Sequence, residues 1–449
     1  MSVKRYHIET WGCQMNVLDS QYLEGVLQAR GLVATDDPAR ADVVLLNTCA
    51  VREKAVQKVR SRLGELRALR AAGGLPTVVG LCGCVAEQEG SRLLEGSSVL
   101  SFVLGPGRLG HLPHALDAVA DGGKPALTGF TAGRDVDAHL VFRGSAARQY
   151  VTAIHGCNQH CTFCVVPYTR GHEASRPLAA IVSEVRELAG RGVVEVTLLG
   201  QTVNAYRCPD TGTDFAGLLE AVSDGAAPQR LQFLTSHPKF FTDRLLGALS
   251  RIPAVGSYLH VPFQSGSDSV LKRMHRGYTR SDYLGMVHRL REARPDISLS
   301  TDVIVGFPGE TEADFLETLE VVEEVRFGQL FGFAFSPRPK TSAAKYSGRV
   351  GREEMGDRLE RLFEIQGAIQ LELNQSRIGR EVRVLIDGPA KRGELLWQGR
   401  GDDNRVVNFP GWSGIEAGQT VAVTITGATA HSLLGERVID GAQSGPTGA

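Results

Sequence analysis

Several absences narrow what this sequence can be. No apolar run approaches the roughly 20 residues that cross a bilayer; the purely aliphatic stretches are short, as at Val43-Val44-Leu45-Leu46. The first residues, Met1-Ser2-Val3-Lys4-Arg5-Tyr6, lack the apolar core of a secretory signal. Both observations argue against a membrane or secreted protein, and a cytoplasmic location with reduced thiols is expected. Net charge is almost absent as well. The 449 residues carry 49 Lys and Arg against 50 Asp and Glu, a formal charge of −1. That excludes a globally basic nucleic-acid binder, although not a local basic face. There is no internal repeat and no low-complexity tract.

What is present is ordinary for a globular protein. Hydrophobic residues make up 42% and charged residues 22%, enough to bury sizeable cores. At about 100–200 residues per domain, two to four domains are expected. The informative class is cysteine, of which there are 8. In a reducing compartment these point to metal or redox chemistry rather than disulfides, unless they serve as small buried hydrophobes. Their spacing decides.

The first third alternates strand and helix signals. Tyr6–Thr10, Val43–Asn47 and Val78–Leu81 read as strands, and Val17–Arg30 and Val51–Ala72 as helices. This pattern predicts βαβ units and a parallel sheet. A Gly-, Ala- and Thr-rich stretch from about Asp121 to Ala147 reads as a linker. The alternation then resumes. Ser175 is placed to cap a helix carrying Leu178, Ile181, Val182, Val185 and Leu188. Strands are expected near Val193–Leu199, Leu231–Leu234, Tyr258–Val261, Ile297–Val305 and Leu330–Phe335. Thr311 and Asp314 form a capping pair for a helix after Gly309. Such repetition fits a full or partial βα barrel. From about Ser376 short strands dominate, including Val382–Ile386 and Val421–Ile425, which suggests a small β-barrel. The tail from Gly441 is expected to be disordered.

The strongest chemical signal is Cys157-x3-Cys161-x2-Cys164, in a loop after the strand Tyr150–Ile154. Three soft thiolates suit an iron–sulfur cluster or zinc. A structural zinc wants four protein ligands, and this loop supplies three. A cubane held by three cysteines keeps one iron open to a small molecule. The spacing resembles the signature of the radical S-adenosylmethionine superfamily. There the open iron binds the amino and carboxylate groups of S-adenosylmethionine, and an aromatic residue at the position of Phe163 often packs by the adenine. Three more cysteines, Cys13, Cys49 and Cys84, each follow a predicted strand. Loops at the carboxyl ends of neighbouring parallel strands converge on one crevice, so these could form a second three-thiolate site. Cys82 competes with Cys84 for that role, and the Gly83-Cys84 turn favours Cys84. Cys208 reads as an unligated thiol.

The motifs Trp11-Gly12-Cys13-Gln14-Met15-Asn16, Asn47-Thr48-Cys49-Ala50-Val51-Arg52-Glu53 and Gly83-Cys84-Val85-Ala86 resemble the N-terminal domain of the methylthiotransferases. Cys157 to Gly171, Gly200 to Tyr206, His260 to Ser267 and Asp302 to Glu310 resemble the same family, and the C-terminal segment is similar to a TRAM domain, which is associated with RNA binding. The Val-Arg-Glu stretch and Met274-His275-Arg276-Gly277-Tyr278-Thr279 resemble most the type that converts N6-isopentenyladenosine beside the anticodon of tRNA to its 2-methylthio derivative. The resemblance implies an α/β fold of three units: an N-terminal open parallel α/β domain over 1–125, a central radical-SAM partial βα barrel over 143–373, and a C-terminal small β-barrel, TRAM-like, over 376–442.

It also implies two [4Fe-4S] clusters, an auxiliary one on Cys13, Cys49 and Cys84 and a catalytic one on Cys157, Cys161 and Cys164. S-adenosylmethionine would lie among Phe163, Gly200, Asn204, Ser236, Gln264 and Gly306, although each could be a turn, cap or packing residue instead. A deoxyadenosyl radical would abstract hydrogen from C2 of the adenine, and no acid–base residue is assigned. The implied partners are tRNA, an electron donor such as flavodoxin or ferredoxin, and a sulfur carrier; a monomer is expected. One departure stands out: Thr202 replaces the Asn of the usual Gly-Gln-Asn-Val-Asn.

The RNA side is weaker. Lys272, Arg273, Arg276, Arg280, Arg289, Arg291 and Arg294 could form a basic patch for phosphates or a solvated helix face. Trp397, Phe409 and Trp412 could stack on bases or fill the β-barrel core. Rival functions are methylthiolation of an aspartate on ribosomal protein S12, methylthiolation of threonylcarbamoyl-adenosine in tRNA, and, from another class, a noncatalytic zinc-containing RNA-binding protein.

Overall fold

The computed structural model describes residues 4–50, 54–130, 141, 147–391, 393 and 395–438. Much of the expected linker, the Val51-Arg52-Glu53 stretch and the tail from Gly441 lie outside them. The N-terminal unit is a 6-stranded parallel sheet. From one edge its strands are Val33–Ala34, Arg5–Trp11, Val43–Thr48, Val78–Gly83, Phe102–Leu104 and Ala126–Leu127. Val43–Thr48 is buried along its whole length, as a central strand covered by helices on both faces must be. The second strand in sequence pairs on one side of the first and the third on the other. The order therefore reverses beside Arg5–Trp11, and such a reversal opens a crevice at the carboxyl ends of the strands.

In the central unit, Arg148–Thr152, Glu195–Leu199 and Arg230–Phe233 form one parallel sheet, and Tyr258–His260, Ser298–Val305 and Gln329–Ala334 form another. A parallel bridge between Leu231 and Val255 and the bond from Ser236 N to His260 O join the two into one arc. The outer face of the arc packs against helices in a core that includes Val151, Val196, Leu231, Leu259, Leu299 and Val303. The arc is the partial barrel expected from the βα repeats.

Two local expectations need adjusting. Ser175 does not cap its helix: it sits in a short strand paired with Ile154, and Pro177 precedes the helix Leu178–Gly190. Proline's fixed φ suits a helix start, so the cap is backbone geometry rather than a hydroxyl. The charged helix Arg352–Gln375 has no counterpart in the sequence reading, yet it packs on the last barrel strand, where Leu359, Leu362 and Phe363 all approach Gly332. The Thr311–Asp314 capping box is present, with Thr311 Oγ1 accepting from Asp314 N at 3.2 Å.

The C-terminal strands Glu381–Pro389, Leu396–Arg400, Val406–Pro410, Thr420–Ala428 and Leu433–Arg437 close into a barrel. This barrel docks on the amino ends of the central strands. Arg148, at the start of its strand, pairs with Asp387 and Glu195, and Arg230 pairs with Glu195 and Asp402. Gln232 Nε2 donates to Asp402 O at 3.3 Å.

Candidate functional site

Cys13, Cys49 and Cys84 follow three adjacent parallel strands and flank the reversal in strand order. Cys13 is exposed, and Cys49 and Cys84 are buried. The thiols are in mutual contact. Hydrogen bonding with Cys49 pulls the Cys13 and Cys84 thiols down to about 6, and Arg170 adds to both effects. Hydrogen bonds with both neighbours push the Cys49 thiol up. A cluster of thiols sharing protons in this way gives them up to a metal.

The flanking motif residues build the crevice. Asn16 and Asn47 are fully buried. Asn16 Nδ2 donates to Asn47 Oδ1 at 3.2 Å and to Thr48 O at 3.3 Å, and Asn47 Nδ2 donates to Asn16 O at 2.8 Å. Asn16 Oδ1 also lies 3.4 Å from Cys13 Sγ. The two side chains thus lock the loop of Cys13 to the loop of Cys49. At Gly12 a Cβ would lie 2.3 Å from Asn16 Oδ1, so only glycine admits that lock. Gly83 has φ 87 and ψ −159, a region essentially confined to glycine. The turn there breaks strand alternation and separates Cys82 from Cys84. Cys82 packs with Tyr6, Leu23 and Phe102 on one side of the sheet, and Cys84 lies in the opposite core with Ala50 and Val85. Cys82 is a core residue whose thiol is pushed up by burial.

The second set lies in the loop 157–164, at the carboxyl end of the barrel. Burial pushes the Cys157 thiol up and the Cys164 thiol up to about 12, so ionisation there needs a nearby cation. Thr202 Oγ1 lies 3.4 Å from Cys157 Sγ, which gives the residue that departs from the usual Asn a contact of its own. Arg276 Nη1 donates to Cys161 Sγ at 3.3 Å. Neither contact was read from sequence: Thr202 stood out only as a departure from the usual Gly-Gln-Asn-Val-Asn, and Arg276 only as a member of a family motif and of a basic run.

The S-adenosylmethionine candidates sit in loops following the carboxyl ends of the same strands. Gly200, Asn204, Ser236, Gln264 and Gly306 follow successive strands of the arc, and Phe163 packs against Val270, Met274 and Phe307. Several have structural work as well. Asn204 accepts from His237 N at 2.9 Å and donates to His237 O at 3.0 Å. A Cβ at Gly200 would lie 2.2 Å from Ile154, and one at Gly306 would lie 2.2 Å from Met355. Gln264 has φ 70 and bridges to Val303. Ser236 differs: its Oγ is buried with no hydrogen-bond partner, and so is Gln201 Oε1. Buried polar atoms in this state are rare in native proteins. Together with three thiols at the mouth, they fit a polar ligand and a cluster.

The loops that carry the two cysteine sets belong to units that pack directly on each other. Val165, directly after Cys164, is buried in the apolar cluster that contains Cys84. Met15 and Leu18 of the helix Gln14–Ala29 pack on Leu199 at the end of a barrel strand. Arg170, six residues after Cys164, pairs with the fully buried Asp19 at 2.9 Å. Among the described residues no group of three or more His, Cys, Asp or Glu side chains closes to the spacing of a single ion. Ligands of a cubane sit on separate irons and need not close so far.

Five of the seven cations named for the basic segment are engaged within the protein. Arg276 is buried. Arg280 pairs with Glu320 and Arg289 with Asp243. Arg291 and Arg294 donate to backbone carbonyls. In the β-module Phe409 is fully buried, and Trp397 and Trp412 pack around that core, with Arg437 over the Trp412 ring at 4.5 Å.

Comparison with known proteins agrees with this architecture. Residues 5–105 match an uncharacterised protein family, UPF0004; residues 151–322 match the radical SAM superfamily, and residues 375–438 match the TRAM domain. Among solved structures, a radical S-adenosylmethionine methyltransferase, TsrM, from Kitasatospora setae shares the fold. Its TM-score is 0.54 at 17% identity, over 77% of this chain and 74% of that one. The tRNA-2-methylthio-N(6)-dimethylallyladenosine synthase of Geobacter metallireducens is 44% identical over 442 residues, 97% of this chain and 99% of the relative. That of Geobacter sulfurreducens is 44% identical over 441 residues, 97% and 98% of the two chains. Identity at that level over 97% of its length means that the chain belongs to the tRNA-2-methylthio-N(6)-dimethylallyladenosine synthase family.

Proposed function

We infer that this protein is a radical S-adenosylmethionine enzyme that methylthiolates C2 of N6-isopentenyladenosine beside the anticodon of tRNA. The observation that carries the reading is the presence of two three-cysteine sets on units packed against each other, in a chain of this family. The enzyme takes S-adenosylmethionine and two [4Fe-4S] clusters. When bound, these supply a one-electron cleavage that yields a radical able to take hydrogen from an unactivated C–H bond, and a sulfur site to fill the carbon position left open.

The chain's own residues hold and shield that chemistry. Cys157, Cys161 and Cys164 are the proposed ligands of the catalytic cluster, and Cys13, Cys49 and Cys84 those of the auxiliary one. Three ligands each leave one iron open, which both halves of the reaction require. Phe163, Gly200, Asn204, Ser236, Gln264 and Gly306 are the proposed surroundings of S-adenosylmethionine. The unpartnered Ser236 Oγ supports a direct polar contact from that residue, whereas Asn204, Gly200 and Gly306 would act by shaping backbone. Asn16 and Asn47 keep the auxiliary loops in register. The apolar cluster around Val165 and Cys84 keeps water from the partition between the two sets.

The working units are taken as 1–125, 143–373 and 376–442. Flavodoxin or ferredoxin is the proposed electron donor, a sulfur carrier a further partner, and a monomer in the cytoplasm the working form. No helix among the described residues is long and apolar enough to cross a membrane.

Mass spectrometry of tRNA nucleosides from a strain lacking the gene tests the substrate. N6-isopentenyladenosine should accumulate and its 2-methylthio derivative should vanish. Persistence of the derivative would reject the substrate assignment.

A further inference from the structure

The segment after the helix Asp268–Met274 clasps the cysteine loop. Thr162 N donates to Met274 O at 3.0 Å, and Thr162 Oγ1 donates to Arg273 O at 2.9 Å. His275 Nδ1 lies 3.1 Å from His160 O. His275 has φ 60, and this left-handed residue ends the helix and turns the chain inward. Arg276 follows and is buried. Its Nη2 donates to Pro262 O at 3.1 Å and its Nε to Tyr278 Oη at 3.0 Å. Tyr278 Oη in turn donates to Phe263 O at 2.9 Å. The guanidinium also stands over the Tyr278 ring, 5.3 Å from its centre. The remaining arm is the one aimed at Cys161 Sγ. A buried guanidinium so fully held in place is a fixed charge, not a mobile one.

Thr202 meets the first cysteine of the loop. It is buried, and its hydroxyl is in contact with Cys157 Sγ. A ligating sulfur is a thiolate and can only accept, so with a cluster present the hydroxyl must donate. Two of the three ligand sulfurs therefore face a side-chain donor, one cationic and one neutral.

We propose that Arg276 and Thr202 are positioning residues of the catalytic centre, whose donors orient the Cys161 and Cys157 thiolates and raise the reduction potential of the cluster they hold. This rests on the functional reading above. Reduction adds negative charge to the cluster, and a donor on sulfur favours the more negative state. The effect of Arg276 should exceed that of Thr202, because charge-assisted donors are roughly twice as strong as neutral ones.

The test uses the full chain, anaerobically reconstituted, with a redox titration followed by electron paramagnetic resonance. The signal followed is the part that changes when S-adenosylmethionine is added. Replacing Arg276→Met should lower the ratio of reduced to oxidised cluster at fixed potential by about tenfold, equal to about 59 mV for a one-electron couple. Arg276→Lys keeps the charge and should fall between. Thr202→Val, nearly the same shape, should lower the ratio by a smaller factor of about three. Unmoved potentials in Arg276→Met and Thr202→Val would overturn the proposal. So would loss of iron from both Arg276 variants with no shift in Thr202→Val, since Arg276 would then be a structural prop. A parent protein with no signal that responds to S-adenosylmethionine would instead overturn the functional reading.

Discussion

Replacing Gly83→Ala should empty the auxiliary site while sparing the catalytic one. The residue sits between the buried strand Val78–Gly83 and Cys84, with φ 87 and ψ −159. An L-residue held there costs about 1–3 kcal/mol in backbone strain. The added Cβ would lie 2.5 Å from Asn47 Oδ1 and 2.6 Å from Thr48 O. The second contact is backbone of the neighbouring strand, so relief requires moving the Cys49 loop, at a further cost of roughly 1–3 kcal/mol. The sum, roughly 2–6 kcal/mol, falls on the segment that brings Cys49 and Cys84 together. Gly31 is the control. It also has positive φ, +78, but nothing lies within 4 Å of its Cβ position, so Gly31→Ala should cost only about 1–2 kcal/mol and leave iron content unchanged. Iron and sulfide analysis after anaerobic reconstitution should give about eight irons per chain for the parent and for Gly31→Ala, and about four for Gly83→Ala. Denaturant unfolding should place the parent first, Gly31→Ala next and Gly83→Ala last. Full iron loading and parental stability in Gly83→Ala would refute the claim that this turn sets the ligand geometry.

Other expectations follow from charges and backbone. Burial pushes the Glu310 carboxyl up from 4.5 to about 7, against the pull of Arg358. The folded state thus holds a proton that the unfolded state releases, and the associated stability, present below 4.5, is lost as pH rises through about 7. Between pH 5 and 8 the parent should lose about 2 kcal/mol more than Glu310→Gln; equal pH profiles in urea titrations would contradict this. Arg170→Met removes one partner of the buried Arg170–Asp19 ion pair, and should destabilise by roughly 3–5 kcal/mol. Limited proteolysis should then separate the N-terminal unit from the barrel, and an unchanged digestion pattern would count against the pair as a tie. Lys340 has φ 69, so Lys340→Gly should raise the unfolding free energy by about 1 kcal/mol, whereas a lower value in calorimetry would show that its side chain matters more than its backbone.

The parts of the molecule legible from sequence were those encoded locally. The ligand run Cys157-x3-Cys161-x2-Cys164 lies within one loop, and buried strands such as Val43–Thr48 are marked by a continuous aliphatic run, here Val43 to Leu46. The auxiliary set was legible only through topology: Cys13, Cys49 and Cys84 are far apart in sequence, and the parallel order of their strands brings them together. Contacts without a local pattern stayed hidden. Arg170 meets Asp19 across 151 residues, and Arg276 meets Cys161 across 115. Arg276 was also hard to assign because a run of cations looks the same whether it faces solvent or a buried sulfur. The helix Arg352–Gln375 escaped notice for a related reason. It is densely charged, and buried polar residues such as Arg358 and Gln366 occupy its inner side.

The docking of the C-terminal barrel has a consequence for the size of the substrate. Its anchors, Arg148 and Arg230, stand at the amino ends of the central strands, while the cysteines stand at the carboxyl ends. A strand of 5 residues such as Glu195–Leu199 is about 16 Å long. The module is therefore held on the far side of the barrel from the cysteine loops. An RNA gripped by both must extend along the barrel wall for at least that distance, more than a free nucleoside can reach. The geometry works as a ruler, under which a minimal anticodon stem–loop long enough to reach both ends is a far better substrate than the isolated modified nucleoside.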